Sequence, residues 1–232
     1  MCWTHVRERK NYKLKTCLRQ KRNIVSFINR YAVSIDQSFN RITSPDSLVG
    51  GRVIIIKDRS VLYDQLKIEK KNLKKSGNEA YDMLFLSPSS LVIKDSDGNK
   101  SFALTTEFEQ KGILLWDGTN DDRRMDYSVN LDEARILQYE SSRGIEGWIV
   151  CCLDFDDFMK MKEEQFDPSK AGNALLLESA DEQKKKYLLN WALIPMTRAI
   201  DTLIIILKDQ TSSFSKSLLE CANKLPDYVQ VI

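Results

Sequence analysis

The sequence predicts an α/β fold, with a mainly parallel sheet of about six to seven strands and helices on both faces. Two short apolar runs, residues 149–155 and 203–207, have the composition of strands that are covered on both faces of such a sheet. Segments with apolar residues at helical spacing separate the strand-like runs, and the longest covers residues 181–196. Because strands that alternate with helices build parallel sheets, we expect one α/β domain, for which 232 residues suffice.

The first half of the chain is predicted to begin with a helix over residues 14–32. Four large apolar residues recur there at the i, i+3, i+4, i+7 spacing. They are Ile24, Phe27, Ile28 and Tyr31. Residues 34–51, which include Gly50 and Gly51, form a predicted loop. The next elements are a strand at 52–57, a helix at 59–76 that ends before Gly77, and a strand at 81–86.

The second half continues the alternation of strands and helices. A turn signal at residues 95–99 is expected to join two short strands. The other predicted elements are helices at 105–111, 156–165, 181–196 and 216–223, and strands at 113–116, 135–139, 149–155, 203–207 and 226–232. We divide the chain into a basic N-terminal arm with its helix, residues 1–33, and an α/β domain, residues 34–232.

Charge and cysteine usage narrow the functional classes. The formal net charge is only +2, so a nucleic-acid site must come from local clusters of cations. Five Cys residues without Cys-x-x-Cys spacing and a single His, His5, argue against a metal site and for reduced thiols in a cytoplasmic protein. No apolar run approaches the roughly 20 residues that span a bilayer, so we expect no membrane partner.

The strongest motif connects the helix at 181–196 to the strand at 203–207. The sequence WALIPMTRAIDTL, which begins at Trp191, resembles the last signature motif of the UvrD/Rep-like helicases of superfamily 1. The resemblance implies a RecA-like (P-loop NTPase type) fold, and that Arg198 is a catalytic residue reaching the γ-phosphate of ATP. The planar, permanently charged guanidinium suits this role. Thr197 and Asp201 are also polar and are predicted at a sheet edge, where ligands of open α/β sheets gather.

A second motif, QYESSRGIEGW from Gln138, resembles the fifth motif of the same family, whose core is Gly-Leu-Glu. The resemblance implies that Glu146 binds the nucleotide sugar. Gly144 allows a close backbone approach to ATP, and we expect the amides of a following helix to face an anion. The resemblance also implies nucleic-acid contacts from three residues at the start of the motif. They are Gln138, Ser141 and Arg143, while the usual His of the family is Glu140 here.

A third segment, CLRQKRNIV from Cys17, resembles the fourth family motif, Asn-Tyr-Arg-Ser-x-x-x-Ile. The resemblance implies that Arg19 binds the ATP phosphates; Leu18 occupies the position of the family's Tyr. The basic residues around this segment equally fit a solvated face. Ser89 and Ser90 follow a predicted strand where the family contacts nucleic acid, and a turn with a helix cap explains them equally well.

The sequence lacks the phosphate-cradling Gly-x-x-x-x-Gly-Lys-Thr loop and an acidic pair for magnesium. The nearest acidic group, Asp154, Asp156 and Asp157, is expected to be a solvated helix start. The resemblance therefore covers only the second RecA-like domain of the family. It implies the C-terminal motor half of an ATP-dependent helicase, with ATP and Mg²⁺ bound mainly by an N-terminal RecA-like domain in the same or another chain, and without hydrolysis by this chain alone.

Single-stranded DNA is the expected substrate, and RNA is not excluded. One alternative is a helicase-derived module that binds nucleic acid or protein without ATPase activity, through its basic arm and the lysines of residues 67–75. Another is an unrelated α/β nucleotide-binding protein whose motifs match by chance. In that case Arg198 and Gly144 would lie at opposite ends of the sheet.

Overall fold

The computed structural model describes residues 16–126, 130–170 and 179–232. The first fifteen residues, with His5, Cys2 and the basic residues of the predicted arm that precede Thr16, lie outside these ranges. No helix in the described ranges is both long and apolar enough to cross a membrane.

Seven strands form one sheet in which every neighbouring pair is parallel. The strands are β1 (Arg52–Ile56), β2 (Met83–Ser87), β5 (Leu115–Asp117), β6 (Ala134–Gln138), β7 (Gly147–Cys152), β8 (Ala199–Ile206) and β9 (Val229–Val231), with β3 (Val92–Lys94) and β4 (Lys100–Phe102) between β2 and β5 in the chain. Their spatial order is β5-β6-β2-β7-β8-β1-β9. Strands β3 and β4 form a separate antiparallel pair, joined by the predicted turn.

Helices cover both faces of the sheet. They are α1 (Arg22–Ile35), α2 (Leu62–Lys75), α3 (Thr105–Gln110), α4 (Phe155–Glu164), α5 (Ala180–Met196) and α6 (Ser213–Asn223). Buried residues of α1, α4, α5 and α6 form one core with one face of the strands, and those of α2 and α3 form a second core with the other face. The predicted α/β fold, with a mainly parallel sheet of about six to seven strands and helices on both faces, is confirmed.

Helix α1 belongs to the first of these cores. The four apolar residues that the spacing singled out, Ile24, Phe27, Ile28 and Tyr31, are all buried there. The helix begins at Arg22 rather than at residue 14. Thr16 instead forms a parallel bridge with Thr43. The residues just before the helix therefore lie alongside the loop that follows the helix.

Only two residues, Thr197 and Arg198, connect the end of helix α5 to the start of β8. This short connection fixes the position of Arg198. The start of the helix is set by a capping box, in which Ser179 and Glu182 satisfy each other's backbone N–H groups. Thr197 is the C-cap, and β8 starts at Ala199. Thr197 and Arg198 therefore have little freedom to move away from the sheet.

The connection from β6 to β7 crosses β2 in residues 139–146, eight residues in all. A crossover between parallel strands ordinarily needs a dozen or more residues and a helix. Here it contains one 3-10 turn, Tyr139–Ser141, whose buried Tyr139 packs into the first core. The second motif-like segment therefore runs from the carboxyl end of one strand to the amino end of another.

Candidate functional site

The three motif-like segments meet at the amino end of the sheet. Strands β7 and β8 are parallel neighbours, and the backbone N–H of Gly147 donates to the carbonyl of Arg198 across 3.2 Å. Glu146 and Arg198, the residues directly before the two strands, are thus side by side. Gly144 lies three positions before the first residue of β7, in the segment that leads to this end of the sheet. Arg198 and Gly144 are therefore not at opposite ends of the sheet.

Arg19 reaches this point from the segment before α1. Its Nη1 forms an ion pair with the Glu146 carboxylate, and its Nη2 donates to the carbonyl of Thr197 across 2.6 Å. About one third of each side chain of the ion pair is exposed. We call Arg19, Glu146, Thr197 and Arg198 the amino-edge cluster. Its two arginines and one carboxylate leave one positive charge in excess.

Arg198 folds back onto the end of its own helix. Its Nε donates to the Ile194 carbonyl and its Nη2 to Thr197 Oγ1, both across 3.0 Å. Partial burial lowers the pKa of Arg198, and the nearby charge of Arg19 lowers it further, against the opposite effect of Glu146. The guanidinium is thus partly buried near a second cation, Arg19, and an anion beside the two groups would offset both effects.

A buried glutamine holds the Arg19 segment in place. Gln20 is 2% exposed, and its Nε2 donates to the carbonyls of Met196 and Ala199 at 3.1 and 2.9 Å. The backbone N–H of Lys21 also donates to the Ile200 carbonyl. Sequence reasoning missed Gln20, because a glutamine at one isolated position carries no periodic signal.

Arg135 supports Glu146 from the opposite side. Its Nη2 donates to the Glu146 carbonyl across 2.6 Å and its Nε to the Tyr81 carbonyl across 2.8 Å. A second ion pair, Lys21 with Asp201, lies beside the cluster, and the ammonium of Lys21 is 5.0 Å from the centre of the Trp148 ring. Asp201 was predicted next to the sheet, but this is the amino end of the strands, whereas ligands of open sheets usually gather at the carboxyl ends.

The turn around Gly144 differs from the expected strand-to-helix turn. Gly144 has φ +81° and is exposed, and a Cβ built there would meet no atom within 4 Å. The glycine serves the left-handed backbone conformation of this turn, and the open space around it is free of other protein atoms. The element that follows this turn is strand β7 and not a helix. The turn therefore has no helix N-terminus whose amides could face an anion. Arg143 is exposed, with its guanidinium 5.7 Å from the centre of the Trp191 ring.

The predicted nucleic-acid residues lie mainly at the other, carboxyl end of the sheet. Gln138 ends β6 and is the register partner of Ser87 at the end of β2. Ser90 Oγ donates to Asp157 across 2.8 Å, and Ser89 Oγ to Met161 Sδ across 3.1 Å. Ser141 Oγ accepts from Arg124 Nη1 across 2.9 Å. The structure therefore brings these serines and Gln138 to one end, with Arg143 farther along the crossover.

Glu140, at the position of the family's His, is used inside the protein. It forms an ion pair of 2.5 Å with Lys162, which is 4% exposed. The ammonium of Lys162 also lies 4.1 Å from the centre of the Trp191 ring. This pair fixes the start of the crossover to α4. Nothing in the sequence spacing of the two residues indicated it.

The acidic group after β7 is not the solvated helix start that was expected. Asp154 and Asp156 are 1% and 2% exposed. Asp154 pairs with Arg59 across 2.7 Å, and the Asp156 carboxylate accepts the backbone N–H groups of Lys208 and Asp209 at 2.8 Å each. These carboxylates are internal to the fold. The described ranges contain no group of three or more His, Cys, Asp or Glu residues arranged to hold a metal ion.

Comparisons with known proteins found similarity among solved structures. No protein-family model matches the chain, and no curated protein does. Among solved structures, the chain is similar to the C-terminal domain of a possible DNA helicase from Lactobacillus plantarum WCFS1. The two share 11% sequence identity with a TM-score of 0.49, and the match covers 92% of this chain and 98% of that one.

Proposed function

We propose that this chain is the C-terminal motor half of an ATP-dependent, UvrD/Rep-like DNA helicase of superfamily 1. The observation that carries the proposal is the amino-edge cluster. Arg19, Glu146 and Arg198 come from three separate motif-like segments. The Arg19 side chain contacts Glu146 and the carbonyl of Thr197, the residue before Arg198. The carbonyl of Arg198 accepts from the backbone N–H of Gly147, the residue after Glu146. A chance resemblance in each segment would not require the three to meet.

In this proposal the cluster binds the phosphates and sugar of ATP. Arg198 is the catalytic residue that stabilises the charge developing on the γ-phosphate, and Arg19 binds the phosphates beside it. Glu146 accepts hydrogen bonds from the sugar hydroxyls. Leu18, which is 77% exposed next to Arg19, offers an apolar surface to the base.

The magnesium ion and the phosphate-cradling loop belong, in this proposal, to an N-terminal RecA-like domain of the same or another chain. Glu146 and Asp201, the carboxylates at the amino edge, are each paired with a cation of this chain. They therefore suit sugar contacts and positioning better than metal binding. Held by residues of that N-terminal domain, Mg²⁺ would supply positive charge that offsets the charge of the phosphates. This chain's own part is to place its two guanidinium groups against the phosphates.

The nucleic acid is proposed to bind at the opposite end of the sheet. Ser89, Ser90, Gln138 and Ser141 lie there, with Arg143 on the crossover, and we propose that they contact single-stranded DNA. RNA would make the same phosphate contacts. The eight-residue crossover connects Gln138 directly to Glu146, so a shift of Glu146 on nucleotide binding would move the DNA-contacting end.

The chain alone is expected not to hydrolyse ATP, because it supplies only one side of the site. The test is steady-state phosphate release by the purified chain, with and without single-stranded DNA. We expect no turnover above the buffer rate in either condition. Turnover that Arg198→Ala abolishes would show that this chain contains a complete site, and the two-domain proposal would be wrong.

Glu146→Gln is expected to raise the affinity of the amino-edge cluster for pyrophosphate by about two- to fivefold. The carboxylate competes with a phosphate for Arg19, and a part-exposed ion pair of this kind contributes about 0.2–1 kcal/mol. The measurement is a pyrophosphate titration followed through the backbone amides of Gly147, Arg198 and Ala199. Asp201→Asn, which removes an acid next to the cluster but outside the Arg19 pair, is the control and is expected to have a smaller effect. A lower affinity in Glu146→Gln would contradict competition.

A second candidate function is a binding module without ATPase activity. Four lysines of α2 are exposed, namely Lys67, Lys71, Lys74 and Lys75, and the cations of the amino edge are partly exposed. In this case single-stranded DNA would bind without nucleotide, and the affinity would fall steeply as salt rises. Loss of that binding in Lys71→Gln/Lys74→Gln, with no effect of Arg19→Gln/Arg198→Gln, would favour the module.

A further inference from the structure

A groove of about 630 Å³ lies between α1 and α6, outside the amino-edge cluster. Residues of α1 and α6 form two of its sides, and the loop that follows α1 forms the third. Its lining is Ser26, Asn29, Arg30, Val33, Ser34, Gln37, Arg41, Ser217, Glu220, Cys221, Lys224 and Leu225. We call it the α1–α6 groove. Its volume lies within the range of roughly 300–1,000 Å³ that small-molecule sites occupy.

The charges of the groove are unbalanced and unpaired. Three cations, Arg30, Arg41 and Lys224, line it together with one acid, Glu220, which leaves two positive charges in excess. Across the described ranges, none of these four side chains forms an ion pair or a hydrogen bond with another residue. Burial raises the pKa of the Cys221 thiol, against the opposing effects of the Ser34 hydrogen bond, Arg30 and Lys224, so both of these cations act on the same thiol in the groove.

Hydrogen bonds hold the sides of the groove in place. Ser34 Oγ and Ser217 Oγ are 2.9 Å apart and connect α1 to α6. The Asn29 side chain donates to the Ile42 carbonyl across 2.7 Å and accepts from the Ile42 N–H across 2.8 Å. These two hydrogen bonds fix the loop that carries Arg41 against α1. A groove held in this way loses little conformational entropy when a ligand binds.

We propose that the α1–α6 groove binds a small phosphorylated molecule. Two guanidinium groups and one ammonium match the oxygens of a phosphate, and hydroxyl and amide groups such as Ser26 and Gln37 are placed to donate further hydrogen bonds. Val33, Cys221 and Leu225 give an apolar surface for the rest of the ligand. The proposal does not depend on the helicase function.

The test is a titration of the full chain with pyrophosphate and with AMP at low salt, followed by backbone amide chemical shifts. We expect shifts in residues 26–41 and 217–225. Arg30→Gln/Lys224→Gln is expected to weaken pyrophosphate binding at these amides by tenfold or more. The matched control, Lys71→Gln/Lys74→Gln, removes the same charge from α2 and is expected to change the affinity by less than twofold.

Three outcomes would overturn the proposal. One is the absence of shifts in residues 26–41 and 217–225, and another is an equal loss in the control variant. The third is displacement of pyrophosphate from these amides by a single-stranded oligonucleotide whose own binding needs Arg30 and Lys224, because the groove would then be part of a nucleic-acid track. Arg19→Gln/Arg198→Gln should leave the groove shifts unchanged, which separates this result from the fate of the amino-edge proposal.

Discussion

Phe108→Ala is expected to lower the free energy of unfolding by about 3–5 kcal/mol, the cost of removing a fully buried phenyl ring from a packed core. Phe108 has no exposed surface although it lies on α3, a helix of only six residues. Its ring makes edge contacts with Tyr63, Phe85 and Phe102, at centroid distances of 5.3, 5.2 and 5.6 Å. It thereby joins α2, the inner strand β2 and the β3–β4 pair.

Urea unfolding followed by circular dichroism measures this loss. Phe108→Leu keeps most of the apolar volume and is expected to cost less than half as much. Leu114→Ala, at a neighbouring site that is 46% exposed, is expected to cost under about 1 kcal/mol. If Phe108→Ala cost no more than Leu114→Ala, the second core would not depend on this aromatic contact.

Arg52→Met is expected to cost about 2–4 kcal/mol at neutral pH, because it leaves a buried carboxylate without its cation. The Glu69 side chain has no exposed surface, and it is paired with Arg52, whose side chain is 39% exposed. The carboxylate also accepts hydrogen bonds from amide side chains, from Gln65 Nε2 at 2.9 Å and from Asn72. An amide donor cannot replace the full charge of Arg52. The loss of stability in Arg52→Met therefore comes mainly from the unpaired, buried charge of Glu69.

The cost of Arg52→Met is expected to shrink as the pH falls. Burial already raises the pKa of the Glu69 carboxyl, against the opposing effect of Arg52, and loss of Arg52 raises this pKa further. A raised folded pKa stabilises the protein below the unfolded value of about 4.3, and this contribution is lost as the pH rises through the folded pKa. Unfolding measured at pH 7.5 and pH 5 should therefore show the larger deficit at pH 7.5.

The double variant Arg52→Met/Glu69→Leu is the control for this prediction. Replacing a buried ion pair with apolar residues of similar volume is often neutral. The double variant is therefore expected to be more stable than Arg52→Met at neutral pH and to lose the pH-dependent deficit. A double variant as unstable as Arg52→Met would show that Arg52 acts through packing or through its hydrogen bond to Thr202 Oγ1 rather than through Glu69.

The elements of the fold followed from apolar runs, helical periodicity and turn signals. The helix predicted at 181–196 agrees with α5 because Ser179 and Glu182 form the capping box that sets its start. The strand predicted at 203–207 begins earlier, at Ala199, since pairing with β7 extends it through the less apolar residues before Thr202. The pairing of two strands is a tertiary effect, and the hydropathy of one segment does not indicate it.

The candidate site depended on family resemblance for its main residues and on the structure for the rest. Arg19, Glu146 and Arg198 are 127 and 52 residues apart in sequence, and no local pattern relates them. The supports of the cluster, Gln20 and Arg135, act through hydrogen bonds from side chain to backbone carbonyl. Such bonds depend on which backbone groups remain free after the sheet forms, so residue types alone do not indicate them.

An ATP titration observed by heteronuclear NMR tests the central claim most directly. We predict weak binding with chemical-shift changes at residues 18–21, 144–148 and 197–201, and loss of these changes in Arg19→Gln/Arg198→Gln but not in Lys71→Gln/Lys74→Gln. Adenosine, which lacks phosphates, should produce smaller changes at Arg198. Shifts confined to other parts of the chain, or changes that persist in Arg19→Gln/Arg198→Gln, would contradict the assignment of the amino-edge cluster as the nucleotide phosphate site.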